Sequence, residues 1–225
     1  MLVADGMGGE AGGEVASRLA VSVLIDLVLQ TPDWILRLDE QSLQEVRKRM
    51  ERRFQQVQEA LKGQAREDPS LSGMGTTMTL TCSLGADLLL IHAGDSRAYL
   101  FRQDRLHRLT SDHTMAQSLA DVGVISPQDV ATHPMRHMLT NVLGGRSDQV
   151  RMECRELRLA DGDQILLCTD GLTDMVPDET IVEVLRSAAT AADACRALVD
   201  RALNSGGKDN VTVVLGRYRI PEEGK

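Results

Sequence analysis

The hydrophobic period of this 225-residue chain changes at about Pro69, and that change restricts what the chain can fold into. Up to that point apolar residues recur every three or four positions, the spacing of a helix face. Beyond it they alternate in short runs, the spacing of a strand. Over residues 11–30, Val15, Leu19, Val23 and Leu27 stand at spacing four, with Ala16, Ala20, Leu24 and Val28 beside them, a wide stripe that needs covering. Thr31-Pro32-Asp33 stops this helix, because proline cannot continue it. A second helix is predicted over about 39–66, with Leu43, Val46, Met50, Phe54, Val57 and Leu61 recurring on one face. Its basic run, Arg47-Lys48-Arg49 with Arg52-Arg53, reads as a solvated face with Glu45 four residues before Arg49, rather than as an anion-binding patch.

After Pro69, strands are predicted at 76–83, 88–93, 97–101 and 105–110, close enough together to be hairpins of an antiparallel sheet. Further strands are predicted at 151–157, 164–169 and 211–217, with helices at 178–186 and 189–204. This order is not a regular alternation of strand and helix, so the fold class is α+β and layered. The stretch 111–145, with Pro127, Pro134 and the histidines His113, His133 and His137, is the least regular and reads as an excursion over a site. Residues 1–225 are read as one domain carrying this insertion.

Composition removes several functions. Aromatic residues make up 2% of the chain, too few for a base- or sugar-stacking platform. The net charge is −8, which repels nucleic acid and anionic membrane but suits divalent cations. Cys82, Cys154, Cys168 and Cys195 form no CxxC pair, which excludes a zinc ribbon and suits a reducing compartment; Cys82 and Cys168 sit in apolar runs and read as buried thiols. Met1 leads into Leu2-Val3-Ala4-Asp5 without a basic region, and no apolar run reaches the ~20 residues of a membrane span. A cytoplasmic setting is the expectation.

The chemistry lies in a recurring pattern. Aspartates stand at the mouths of apolar strands, each beside glycine or a small turn residue: Asp5-Gly6, Gly94-Asp95-Ser96, Asp170-Gly171, and Gly206-Gly207-Lys208-Asp209-Asn210. Each alone is a common turn. If the four converge, their carboxylates raise one another's pKa values, and a hard divalent cation relieves the conflict. Oxygen donors of this kind suit Mn2+ or Mg2+ rather than zinc. Two such ions ~4 Å apart lower the pKa of a bridging water toward ~7, and a phosphoryl group is the natural electrophile.

In order along the chain, Val3-Ala4-Asp5-Gly6-Met7-Gly8-Gly9, Gly73-Met74-Gly75-Thr76-Thr77, Ala93-Gly94-Asp95-Ser96-Arg97, Leu109-Thr110-Ser111-Asp112-His113, Asp170-Gly171-Leu172 and Lys208-Asp209-Asn210-Val211-Thr212 resemble the metal-dependent protein phosphatases (the PPM or type 2C family) of bacteria. The resemblance covers nearly the whole chain. It implies two antiparallel sheets packed as a sandwich with helix pairs on the outer faces. It implies hydrolysis of phosphoserine and phosphothreonine by a metal-bridging hydroxide, without a phosphoenzyme, on phosphorylated proteins made by a serine/threonine kinase, by a monomer. Asp5 would bridge two Mn2+ or Mg2+ ions, the Gly6 carbonyl would bind one of them, Asp170 and Asp209 would hold the same pair, and Asp95 would hold a third, weaker ion. Residues 111–145 correspond to the family's flap; within it His133 and Arg136 are weighed as substrate contacts against a structural role, while Ser96 and Arg97 are read as structural.

Two features depart from the family pattern. A strand hairpin normally stands ahead of Asp-Gly-Met-Gly-Gly, carrying a phosphate-clamping arginine and an Asn-Glu-Asp run. Here the sequence opens four residues before Asp5, which implies an exposed sheet edge, no clamp and impaired turnover, whether by truncation or by natural shortening. Met7 also occupies a position where eukaryotic members carry histidine, so no imidazole acid stands beside Asp5 in the sequence. Two other readings stay open: an inactive binding module of the same fold, and a domain that binds cations for stability alone.

Overall fold

The computed structural model describes residues 1–30, 42–147 and 149–220. The predicted helix stop at Thr31-Pro32-Asp33 and the predicted helix start at Asp39 lie outside those residues. Helix α1 is Gly9–Leu29 and helix α2 is Ser42–Glu67. The short strands β1 (Leu2–Val3), β2 (Gly6–Met7) and β3 (Gly75–Thr76) are followed by β4 (Met78–Leu84), β5 (Asp87–Ala93), β6 (Arg97–Arg102) and β7 (Arg105–Arg108). Then come α3 (Met115–Asp121), β8 (Leu143–Gly144), β9 (Glu153–Arg158), β10 (Gln164–Cys168), α4 (Asp170–Thr173), α5 (Asp178–Ser187), α6 (Ala191–Asn204) and β11 (Val213–Arg217).

Two antiparallel four-stranded sheets form, in the orders β1-β4-β5-β9 and β11-β10-β6-β7, with a small third sheet β2-β3-β8. Side-chain alternation on the central strands explains the layering. On β5, Leu89 and Ile91 pack with Ala16, Ala20 and Leu24 of α1 and Met50, Phe54 and Leu61 of α2. Leu88 and Leu90, on its other face, meet Ala98 and Leu100 of β6 and Ile165 and Leu167 of β10. The second sheet turns Tyr99, Phe101, Leu166 and Cys168 outward onto Ile181 and Leu185 of α5 and Leu198 and Ala202 of α6. Three apolar seams therefore hold four layers, helices, sheet, sheet, helices. Each fully buried leucine contributes roughly 1.5–3 kcal/mol over an exposed one.

Local differences from the sequence reading have identifiable causes. The strand expected at 76–83 is broken at Thr77, whose N–H donates to the Asp5 carbonyl at 2.8 Å instead of to a ladder. The last strand starts at Val213, because the Thr212 N–H donates to Thr169 Oγ1 at 3.0 Å. The last helix starts at Ala191, where Thr190 caps it by accepting from the Asp193 N–H. Arg53 is not on the solvated face. It is buried between the helices and donates to the Leu27 carbonyl at 3.3 Å. Glu45 pairs with Lys48 at 3.3 Å rather than with Arg49. Cys168 is buried as expected, whereas Cys82 is half-buried. Among the described residues no helix is long and apolar enough to cross a membrane.

The segment after β7 leaves the body at His113 and returns at Thr140. Thr114 and Leu139 form an isolated bridge, and the Thr140 N–H donates to the His113 carbonyl at 2.8 Å. Between them lie α3, capped by Thr114, and a 3-10 turn at Pro127–Thr132, both absent from the sequence reading because their apolar periodicity is too short to register.

The crossing from β5 to β6 turns at Gly94, with φ +116° and a would-be Cβ only 2.4 Å from Thr77 Cβ. Gly94→Ala is therefore expected to destabilise the protein by about 2 kcal/mol or more. Urea unfolding measures this, and a change below about 0.5 kcal/mol would show that the turn tolerates a side chain.

Candidate metal centre

Strand register decides which loops meet. In the second sheet Cys168 pairs with both Arg97 and Val213, so the ends next to Asp95, Asp170 and Asp209 are level. In the first sheet Met78 pairs with Ala93 and Val3 with Thr79, which brings the residues after β1 and β5 to that same end. A cavity of about 350 Å³ opens there, lined by Asp5, Gly6, Asp95, Asp170 and Asp209 together. All five residues singled out from the sequence thus share one cavity. Met7, Thr77, Arg136, His137, Asp174 and Lys208 also line it.

Backbone and hydroxyl bonds hold the acidic loops in place. The Asp5 N–H donates to Thr77 Oγ1 at 2.9 Å, and the Asp5 carbonyl accepts from Thr76 Oγ1 at 2.8 Å. Thr77 Oγ1 also shares a 2.7 Å hydrogen bond with Ser96 Oγ, next to Asp95. The adjacent threonines of the Gly-Thr-Thr run therefore connect two acidic turns. On the other side Thr169 accepts from the Thr212 N–H and donates to the Asn210 carbonyl at 3.3 Å. Gly171 fits only without a side chain, since a Cβ there would lie 2.2 Å from the Asn210 oxygen. This locks the Asp170 turn to the Asp209 turn.

The electrostatics follow from the crowding. The Asp5 carboxyl is pushed up to about 7, first by burial, then by the charge of Asp170, with which it shares a hydrogen bond, and by Asp209. Asp95 is pushed up to about 8 by burial, then by Asp170, Asp112 and Asp5. Asp170 is likewise raised, chiefly by burial. Asp112, beside them, behaves oppositely. Burial alone would raise it, but the Arg97 guanidinium, donating at 2.8 Å, and Arg108 outweigh burial and hold it low. Arg97 is thus engaged in a structural pair, as expected for it. Among the described residues, no guanidinium pairs with Asp5 or Asp95 as Arg97 does with Asp112. An all-oxygen set of mutually repelling carboxylates fits hard divalent ions such as Mn2+ or Mg2+.

Among the described residues, two clusters bring donor atoms within 4.8 Å of one another: His137, Asp170 and Asp174 at the cavity, and His92, His113 and Glu153 away from it. The imidazoles of the latter are committed elsewhere. His113 Nδ1 accepts from the Gly94 N–H at 3.0 Å, and the His92 nitrogens bond Thr79 Oγ1 and the Ser111 carbonyl. Burial lowers His92 to about 3 and His113 to about 4, so both are neutral core groups.

The flap contributes differently from the expectation. His133 stays in its own turn, where Nδ1 accepts from the Met135 N–H at 3.2 Å, and it does not line the cavity. Arg136 does, and so does His137, whose Nδ1 lies 3.7 Å from Asp170 Oδ2. An imidazole therefore reaches the centre from the flap rather than from position 7. Asp174 was also missed; its signal was the spacing of four from Asp170, which places both on one side of α4.

Comparison with known proteins agrees with this geometry. The family model described as protein phosphatase 2C matches residues 1–206. The chain is 41% identical over 217 residues to the serine/threonine protein phosphatase PstP of Mycobacterium tuberculosis, covering 96% of this chain but 39% of PstP. It is 32% identical over 225 residues to the serine/threonine phosphatase stp of Listeria innocua, covering 100% of this chain and 86% of that protein. Among solved structures, the catalytic domain of PstP in complex with two manganese ions matches at 37% identity and a TM-score of 0.78, covering 95% of this chain and 85% of that one. The Staphylococcus aureus phosphatase Stp1 matches at 30% identity and a TM-score of 0.86, covering 97% and 83%. With the matched model spanning most of its length and the motif aspartates gathered in one cavity, the chain belongs to the protein phosphatase 2C family.

Proposed function

We propose that this protein is a Mn2+- or Mg2+-dependent serine/threonine phosphatase acting on phosphorylated proteins. The observation that supports the reading most is the gathering of Asp5, Asp95, Asp170 and Asp209 around one open cavity. In this reading Asp5 bridges two ions, Asp170 and Asp209 complete their carboxylate set, the Gly6 carbonyl adds a neutral oxygen, and Asp95 holds a third, weaker ion. Bound there, the ions supply Lewis acidity and lower the pKa of water for attack at phosphorus.

The chain's own residues prepare that chemistry. Thr77 and Thr169 fix the acidic turns before any ligand arrives, so little reorganisation is needed when charge develops. Lys208 and Arg136 are cations on the cavity wall, available to the oxygens of a phosphoryl group. The cavity is open to solvent, which suits a phosphorylated side chain carried on a protein surface. The kinase that supplies such substrates is a serine/threonine kinase.

Two tests follow. Asp170→Asn and Asp209→Asn are expected to cut Mn2+-dependent hydrolysis of p-nitrophenyl phosphate by about 100-fold or more, while each leaves the metal-free melting temperature equal or higher, because a repelling charge is removed. Wild-type protein that binds Mn2+ but hydrolyses no phosphoester would overturn the phosphatase reading in favour of a binding module.

Metal dependence of stability carries a definite sign with pH. Asp5 and Asp95 titrate in the folded protein at about 7 and about 8, above the unfolded value of 3.8. The folded state therefore holds extra protons across that window, and metal-free stability falls as pH rises toward 8. Mn2+ needs the deprotonated carboxylates, so the increase in melting temperature on adding Mn2+ is expected to be larger at pH 8 than at pH 6. A shift independent of pH would mean that these carboxyls do not bind the ion.

A further inference from the structure

The Asp5–Gly6 turn belongs to a sheet that cannot hold itself. Strands β2, β3 and β8 are each two residues long, and Gly6 pairs with Thr76, Met7 with Gly75, Gly75 with Gly144 and Thr76 with Leu143. Gly6, Gly75 and Gly144 bring no side chain to cross-strand pairing, and strands this short are not stable alone. The backbones are also too close for one, since a Cβ on Gly75 would lie 2.9 Å from the Leu143 oxygen. Support comes from α2. Gln58 on that helix is 3% exposed; its Oε1 accepts from the Gly144 N–H at 2.6 Å, and its Nε2 donates to the Ser147 carbonyl at 3.1 Å. Leu61, three residues on along the same face, is buried in one cluster with Leu143.

We propose that Gln58 is a positioning residue for the metal centre. By holding Gly144 and Ser147 with the two ends of its amide, it keeps the three-stranded sheet, and with it the Asp5–Gly6 turn, in the geometry the ions need. The inference rests on the phosphatase reading above. The line of connection is short. Gln58 fixes Gly144, Gly144 sits against Gly75, and the Gly145 N–H donates to the Met74 carbonyl at 2.7 Å. Thr76, next to Gly75, donates its hydroxyl to the Asp5 carbonyl at 2.8 Å. Strand β8 is also where the chain returns from the flap after Thr140, so the same amide sets the returning limb against the acidic turn. A glutamine suits the place, because its carbonyl and its N–H meet one backbone donor and one backbone acceptor. An apolar side chain of equal size would leave the buried Gly144 N–H without that partner. Asp5 and Asp170 repel one another, so a turn freed from this support relaxes apart and binds the ions less tightly.

Gln58→Met, which keeps the volume, is expected to raise the Kd for Mn2+ in calorimetry about tenfold, with kcat at saturating Mn2+ falling less than about twofold. In the metal-free variant, amide exchange at 6–7, 75–76 and 143–145 should accelerate, while that of β10 stays as it is. Gln58→Glu, which keeps an acceptor for the Gly144 N–H, should lie between the wild type and Gln58→Met in both readouts. Leu198→Ala, on α6 in the opposite helical layer, is the control for lost stability and should leave the Kd unchanged. Unchanged exchange and Kd in Gln58→Met overturn the proposal. An equal rise of Kd in Leu198→Ala does so too, because Gln58 would then act through overall stability alone. Hydrolysis of p-nitrophenyl phosphate by the wild type separates the two claims: if Mn2+ gives none, the phosphatase reading falls, and the metal-free exchange alone still decides whether Gln58 holds the Asp5 turn.

Discussion

The site depends on carboxylates that repel one another being held together by bonds that are not their own. The hydrogen bonds that fix Asp5 run through its backbone to Thr76 and Thr77, and those that fix the Asp170 turn run through Thr169 to Asn210 and Thr212. The carboxyl groups are crowded into one buried corner, and burial first, then their mutual charge, raises the protonation of Asp5, Asp95 and Asp170. A fold does not keep such a conflict without use for it. A pair of divalent cations removes it, and the same ions are what phosphoryl transfer requires.

The rest of the architecture serves to hold those turns still. Both central strands, β5 and β10, are buried on both faces, so the loops at their ends start from the most rigid part of the molecule. The crossing at Gly94 carries the chain from one sheet to the other and places Asp95 beside the Asp5 turn. The flap is the opposite case. It is tied at its neck through His113 and Thr140, and held at its tip by a few half-exposed charges. The acidic turns are thus rigid, and the segment over them is weakly held.

Much of this was legible before any coordinates. The change of period at Pro69 located the helices and strands, and six motifs in order pointed to the family. The places where the reading slipped are instructive. Thr77 and Thr212 were assigned to strands because threonine favours them, but their backbone groups are spent on Asp5 and Thr169. Arg53 was read as solvated because its neighbours are charged, yet it is buried against the end of α1, where it donates to the Leu27 carbonyl. His137 carried no periodicity and no motif, and the one local sign for Asp174 was its spacing of four from Asp170.

Residue alternation, helical stripes and the donor chemistry of repeated aspartates are local properties, and the sequence by itself determined them: the α+β class and the preference for hard cations. Which strand ends stand level is set by register between segments that are distant in the chain, such as Cys168 against Arg97 and Val213. Only the tertiary structure could decide that, because a shift of one residue in that register turns every side chain to the opposite face and separates the acidic turns. The meeting of the flap with Asp174 belongs to the same category, since it depends on where a segment without a core comes to rest.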